Sequence, residues 1–377
     1  LKNILINGLL LHGTYSGVQY YIEYLIETLS KMDLHDSTLE VLVSQNYNGI
    51  LRESKYLKIN KISLNTSNRL SRIYFENFLL AGYFKRRRFD LFHSPGSILP
   101  LFFRMPGMVT IHDLVPLRYP SLCQNETVLY YKLFLPPTIR KASTIITVSD
   151  VVRKDIIDRF PDINKEKIVV IYPGLHSRFK KITEAEALEK VKHKYHLPDK
   201  FFLFVGNLEP RKNIIGIIQA FAALKKEHCK EFKLVLAGRK AWKYTPIFEL
   251  TANLGLQHEV LFPGFVDVED MPVLYSLAKI FLFPSIYEGF GLPVLEAMAC
   301  ECPAIVSDRG ALPEISGGIC PQVDPFHPSE LMLAILAVLR NKEYRASQIS
   351  RGLRWSHQFT WETAAEKMAN IYHSFMG

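Results

Sequence analysis

No stretch of the 377-residue sequence reaches the roughly 18 to 20 uninterrupted apolar positions that a bilayer-spanning helix needs. The first residues also lack the basic, apolar and small-residue succession of a signal peptide. Both absences argue for an intracellular chain, expected in the cytoplasm. Cysteine is scarce: the 5 present include Cys300-Glu-Cys302 but no CxxC pair and no zinc spacing, so they read as reduced, buried thiols with no structural metal. The G-x-G-x-x-G fingerprint is missing, which disfavours an NAD site. Nor is there a recognition motif or a regular alternation of basic and aromatic residues, so nucleic acid is not an expected partner. Internal repeats and low-complexity tracts are absent as well.

What is present reads as soluble and globular: 48% hydrophobic residues and 22% charged. The length suits two α/β domains better than one core. The net charge of +9 is uneven: through Tyr172 there are 22 Lys+Arg against 15 Asp+Glu (+7), and beyond it 24 against 22 (+2). The densest basic run, Lys85-Arg86-Arg87-Arg88, follows "RIYFENFLLAGYF" (72 to 84). Such a pattern suits contact with an anionic membrane surface or an anionic substrate. It equally suits a helix whose apolar face is core and whose end carries cations.

Short apolar runs alternate with helical patterns, which predicts a parallel sheet covered on both faces. The first half has strand candidates at 3–8, 39–44, 90–94, 108–113, 144–149 and 168–172; the pattern restarts at 201–207, 233–238, 260–264, 280–285 and 303–308. Two Rossmann-like units in series follow, with a boundary at "YPGLHSRFKK" (172 to 181). The expected domains are 1–172, 173–357 and a closing helical segment, 358–377.

Ligands in open α/β sheets sit beyond the carboxyl ends of the strands. There, "VGNLEPRKN" (205 to 213) offers Arg211 and Lys212 at an expected helix start near Asn213. An Arg that grips two phosphate oxygens and a Lys acting as a point charge make a diphosphate clamp. A lone Arg-Lys pair is more often a solvated surface feature, but cations at a helix start oppose the dipole and require a reason. In "FPGFVDVEDMPVLY" (262 to 275), Phe265 or Val266 is placed to pack against a planar base, or equally to be ordinary turn and core. "EGFGLPVLE" (288 to 296) puts a Gly-rich turn before Pro293, the expected first helical position, with Glu288 in the loop and Glu296 in the first turn. Amides of Phe290, Gly291 and Leu292, with Arg211 and Lys212, then take the anionic centre of a ligand while the glutamates accept from hydroxyls at its two ends. A nucleotide diphosphate sugar has that layout. In the first half, Gly13, Ser16 and Gly17 punctuate a strand-to-helix loop, and His112-Asp113 ends a strand facing the same cleft. A single histidine there is more often structural; the pair shifts the balance toward function.

Together, the E-x7-E pair Glu288 and Glu296, the "PRKN" loop, the "HD" strand end and "TVSD" (147 to 150) resemble family 4 of the retaining glycosyltransferases. The resemblance spans nearly the whole chain and is strongest from Phe201 to Gly317. It implies the GT-B fold, two Rossmann-like doubly wound domains facing each other across a deep cleft, and "FTWETAAEKMANIYHSF" (359 to 375) resembles the family's last helix, which crosses back to the first domain. By resemblance, Glu296 binds the donor ribose, Glu288 the transferred sugar's hydroxyls, Arg211 and Lys212 the diphosphate, Phe290 to Leu292 the sugar and phosphate through their amides, and Val266 the base. Gly17 touches the phosphate from the other domain and His112 the sugar near the reacting carbon. Ser16-Gly17-Val18 replaces the frequent double glycine.

No DxD spacing occurs, so Arg211 and Lys212 are expected to replace a bridging metal, and no cofactor is expected beyond the nucleotide sugar as co-substrate. With both glutamates holding hydroxyls, neither is free to act as a covalent nucleophile. The resemblance therefore favours same-face attack with retention, the leaving phosphate helping to accept the acceptor's proton. The expected donor is UDP-glucose first and GDP-mannose second. The expected acceptor is a growing envelope or extracellular glycan, lipid-linked in one version, with peripheral contact of the N-terminal domain with the inner face of the plasma membrane. Two other readings stand beside this: a sugar-nucleotide epimerase on the same architecture, and a catalytically silent nucleotide-binding scaffold.

Overall fold

The computed structural model describes residues 2–12, 16–34, 37–80, 82–83, 88–102 and 105–375. Gly13 and Lys85–Arg87, singled out above, lie outside them. The chain forms two compact units, Leu1–Gly174 with Thr360–Gly377, and Leu175–Phe359. The divisions after Gly174 and Phe359 stand against boundaries read from the sequence after 172 and 357.

In the first unit, β1 (Lys2–Asn7), β2 (Ser37–Ser44), β3 (Leu57–Ile62), β4 (Leu91–Ser94), β5 (Gly107–Ile111), β6 (Thr144–Thr147) and β7 (Ile168–Val170) form a parallel sheet in the order β3-β2-β1-β4-β5-β6-β7. The inner strands are continuous apolar runs because both faces are covered; Leu5, Val41, Leu42, Val109 and Ile145 are all 0% exposed. Each such side chain contributes about 1.5–3 kcal/mol by leaving water. β3 was not among the expected strands. Its sequence, "LKINKI", interleaves lysines and asparagine with apolar residues, as an edge strand covered on one side does.

The helix Gly17–Lys31 buries Tyr21, Ile22, Leu25, Ile26 and Leu29. Against it packs the helix Trp361–Ser374 of the same unit, whose Trp361 ring lies 5.9 Å from Tyr21 and 6.0 Å from Tyr24. The segment after residue 69 buries Leu80 but leaves other apolar side chains outside the core. The helix Arg69–Tyr74 runs on into a wider π-type turn, Phe75–Leu79, and Leu70, Tyr74, Phe78 and Leu79 are exposed. Tyr74, Phe78 and Phe102 touch in series, at 5.3 and 5.5 Å between ring centres.

In the second unit, β8 (Phe201–Val205), β9 (Lys233–Ala237), β10 (Val260–Gly264), β11 (Ile280–Phe283), β12 (Ala304–Ser307) and β13 (Gln322–Val323) run parallel in the order β10-β9-β8-β11-β12-β13. The two-residue β13 was also not expected. Aromatic rings fill the middle of this sheet, Phe281 and Phe204 lying 5.5 and 6.1 Å from Phe283. All five cysteines are buried and free. Among the described residues no helix is long and apolar enough to cross a membrane.

Candidate functional site

Strand order reverses between β8 and β11 in the second unit and between β1 and β4 in the first, and such switch points open crevices at the carboxyl ends of the strands. In the second unit, Pro210–Lys212 form one tight helical turn closed by Asn213 in the left-handed conformation (φ 54°, ψ 40°), and the long helix runs from Ile214 to Glu227. Asparagine tolerates this backbone better than most residues, and its Nδ2 donates to the Pro284 and Pro325 carbonyls (3.2 and 2.6 Å). Arg211 and Lys212 therefore precede the helix in a turn of their own instead of opening it at Asn213. Ile286 N–H donates to the Arg211 carbonyl at 2.8 Å, joining the loops that leave β8 and β11.

These cations have counter-charges. Lys212 Nζ lies 2.6 Å from Glu288 Oε1, and Arg211 Nη1 lies 2.9 Å from Glu288 Oε2. Arg211 Nε and Nη2 donate to Glu209 Oε1 at 3.0 and 2.9 Å. Glu209, Lys212 and Glu288 are 2%, 9% and 6% exposed, so desolvation makes each charge dependent on its partners. Burial pushes the Glu288 carboxyl up, but Arg211 and Lys212 outweigh it and its pKa falls below the ordinary value. Burial lowers the Lys212 pKa, with Glu288 opposing. The residues expected to bind sugar hydroxyls and diphosphate separately are thus brought together as one neutralised cluster.

Glu296 lies on the helix Leu292–Ala299, preceded by Gly291 at φ 109°, a backbone conformation that favours glycine. Leu292 takes the first helical position and Pro293 the second, so Glu296 opens the second turn, not the first as expected. Its Oε2 accepts from the Tyr275 hydroxyl at 2.8 Å, and burial pushes its pKa up to about 7 against that bond and the Arg178 charge. Phe290 is buried, edge-on to Phe359 at 6.1 Å. Val266 follows β10 and is 5% exposed, while its neighbour Phe265 is 43% exposed.

In the first unit, Gly17 begins its helix after Ser16, and a side chain at Gly17 would meet nothing within 4 Å. Gln19 shapes this loop: it accepts from Ser16 N–H (2.8 Å) and donates to the Leu10 and His12 carbonyls (2.6 and 3.0 Å). One turn on, Tyr21 meets His112 edge to face, 4.8 Å between ring centres. His112 Nε2 lies 2.7 Å from the Pro95 carbonyl. A carbonyl only accepts, so Nε2 carries the proton and Nδ1 of the neutral ring keeps a lone pair. Burial lowers the His112 pKa, opposed by the Pro95 bond and Asp113. Asp113 itself accepts from Val115 N–H at 3.0 Å; the expected His-Asp pair is a histidine beside a turn-forming aspartate. The Pro95 turn is held by Ser97, buried at φ 73°. Behind it, His93 bonds Tyr372 (2.7 Å) and Thr110 (3.0 Å), and burial drives its pKa down to about 3.

The sequence reading missed Glu209, Tyr275, Gln19 and the Pro95–Ser97 turn. Glu209 had a local signal, an acid two positions before Arg211; Tyr275 meets Glu296 only through the tertiary fold.

Two family models match the chain: one described as Glycosyltransferase Family 4 over residues 15–178, and one described as Glycosyl transferases group 1 over residues 185–355. The O-antigen chain mannosyltransferase B of Escherichia coli is 34% identical over 284 residues, covering 75% of this chain and 74% of that protein. A serotype-specific mannosyltransferase WbdA of Escherichia coli is 31% identical over 265 residues, 67% of this chain but only 32% of the longer relative. In fold, the sucrose-phosphate synthase of Thermosynechococcus elongatus superposes with a TM-score of 0.80 at 20% identity, covering 100% of this chain and 99% of that one. With two parallel α/β domains of the GT-B type and a relative of this closeness along three quarters of its length, the chain belongs to the family 4 glycosyltransferases.

Proposed function

We propose that this glycosyltransferase moves mannose from GDP-mannose onto a growing envelope polysaccharide, with retention and without a bridging metal. The sugar is argued from the mannosyltransferase relatives, which favour the second of the two donors expected from sequence. The chemistry is argued from one observation, the buried cluster of Glu209, Arg211, Lys212 and Glu288. Diphosphate oxygens are chemically similar to the carboxylate oxygens that now occupy the two cations. An arriving donor exchanges with Glu288, which is released toward the sugar hydroxyls, while Arg211 and Lys212 hold the diphosphate. As the bond from sugar to phosphate breaks, negative charge grows on the leaving oxygen, and fixed cations with the amides of Phe290, Gly291 and Leu292 stabilise it where it develops. Glu296 takes the ribose. Gly17 and neutral His112, with its fixed ring, take the roles toward phosphate and sugar that the family resemblance implies. The leaving phosphate accepts the acceptor's proton on the face it departs from.

The test is transfer in EDTA with GDP-mannose and UDP-glucose in parallel, reading the anomeric configuration of the product by NMR. Retained configuration with GDP-mannose, lost in Arg211→Ala, is the expected result; inverted product, or UDP-glucose as the better donor, removes the corresponding part of the proposal.

We further propose that the acceptor is met at an anionic membrane surface. The supporting observation is the exposed apolar row of Leu70, Tyr74, Phe78 and Phe102, in the half of the sequence that carries the basic excess. Co-sedimentation with phosphatidylglycerol vesicles, abolished by Tyr74→Ser with Phe78→Ser, checks it; binding that survives both changes would place the contact elsewhere.

A further inference from the structure

At the edge of the second sheet, one arginine is held against an aromatic ring with no counter-charge among the described residues. Arg239 follows β9 and Phe265 follows β10. The two strands place Gly264 opposite Ala237, and Gly238 N–H donates to the Gly264 carbonyl at 2.8 Å, so both loops leave the carboxyl end side by side. Gly238 has φ 151°, and a side chain there would collide with the Gly206 carbonyl. This segment is therefore pressed against the loop that leaves β8, the strand preceding Arg211 and Lys212. The guanidinium carbon of Arg239 lies 4.2 Å from the centre of the Phe265 ring. Phe265 is 43% exposed although Val266 beside it is buried. Among the described residues the Arg239 guanidinium has no hydrogen-bonded or ion-paired acceptor. Arginines nearby in the fold are committed: Arg211 to two glutamates and Arg178 to Glu269 and His176.

A planar fork of donors on an exposed ring suits a planar ligand with two adjacent acceptors on one edge. The pair lies on the β10 side of β8, beside the cluster that follows β8 and β11. Phe265 follows β10, two strand spacings or about 10 Å from β8, and Arg239 follows β9 between them, its carbonyl accepting from Leu208 N–H at 2.8 Å.

We infer that Arg239 and Phe265 read the donor's base and select guanine over uracil. Guanine presents O6 and N7 as adjacent acceptors that a guanidinium takes together, whereas uracil offers O4 with only a C–H or an N–H next to it, and adenine sets an amino donor beside N7. Phe265 holds the guanidinium in place beside that edge. The inference rests on the proposed nucleotide-sugar function, and its test separates the two.

The experiment is calorimetric titration of the full chain, in EDTA, with GDP, IDP, 7-deaza-GDP, UDP and ADP. Wild type is compared with Arg239→Ala, Arg239→Lys and Phe265→Ala. IDP keeps O6 and N7 and should match GDP; 7-deaza-GDP lacks N7 and should bind more weakly. Arg239→Ala should weaken GDP and IDP about tenfold to a hundredfold while leaving UDP within about twofold, and Arg239→Lys should recover only part of the loss. GDP affinity unchanged in Arg239→Ala, or UDP preferred by wild type, overturns the base assignment and leaves the nucleotide-sugar reading in place. Wild type that binds none of the five overturns that reading and the base assignment with it. Thermal midpoints of the variants, expected to match wild type, exclude misfolding as the source of a loss.

Discussion

The carboxyl ends of the two sheets are built from opposite materials. In the second unit the site is ionic: two cations and two carboxylates, buried and mutually paired around Glu288. In the first unit it is neutral: His112 against Pro95, and His93, Thr110, Tyr21 and Tyr372 bonded behind it, with burial holding both imidazoles below their ordinary pKa. The difference teaches where ligand selectivity is stored. An ionic cluster responds to exchange of one anion for another; a neutral network responds only to shape and to which nitrogen bears the proton.

The harshest way to break this contrast is Glu288→Gln. It leaves Lys212 buried without its nearest counter-charge, so we expect a stability loss of about 3–5 kcal/mol. Added GDP should restore much of the lost thermal midpoint, because phosphate oxygens take the vacant place. A midpoint indifferent to the substitution would mean that the cluster is not a buried ion network in solution.

Next in size is His112→Ala. Misplacing a sugar near the reacting carbon costs about a hundredfold in rate, so transfer should slow by that order while GDP affinity stays within about twofold of wild type. Affinity that fell together with the rate would make His112 a donor-binding group like those of the second unit and erase the distinction.

The smallest effect sharpens the comparison through pH. Glu296 rises from 4.5 to about 7 on folding, so between those values the folded chain holds a proton that the unfolded chain has lost. Stability from this group is complete below pH 4.5 and is lost as pH rises through about 7. Donor binding to the ionised carboxylate should move the other way, weakening as pH falls through about 7. Glu296→Gln should remove the loss through about pH 7 from both profiles, with Tyr275 and Arg178 still in place. His112 and His93, both shifted downward, add stability as pH rises toward 6.5, opposite in sign to the Glu296 step, so the Glu296 part is read from the difference between wild type and Glu296→Gln. A loss that persists in Glu296→Gln would assign the titration to another residue.

Much of the fold was legible because inner strands of a doubly covered sheet must be apolar throughout, and runs such as "FFLFV" and "IFLF" announce that without any partner in view. "LKINKI" was not legible as β3 because an edge strand keeps one side wet, and its lysines resemble those of a loop or helix. At the site, Glu288 and Glu296 stood out by spacing and Arg211 and Lys212 by charge. Their mutual engagement was hidden, since it depends on Ile286 joining two loops more than seventy residues apart. The Arg239–Phe265 stack was equally hidden, for it needs β9 and β10 in register.

The division of the chain also has a consequence for biosynthesis. The second unit is one uninterrupted segment, Leu175–Phe359, set inside a first unit that needs Thr360–Ser374 to be whole. On a ribosome the second unit has all its residues before the first does. Until the last helix emerges, Tyr21, Tyr24 and His93 lack Trp361 and Tyr372, so the nascent first unit carries an open apolar face and an imidazole bonded only through Nε2 to Thr110. Although it begins first, it is the later of the two to finish folding, and that interval is when a chaperone has the most to cover.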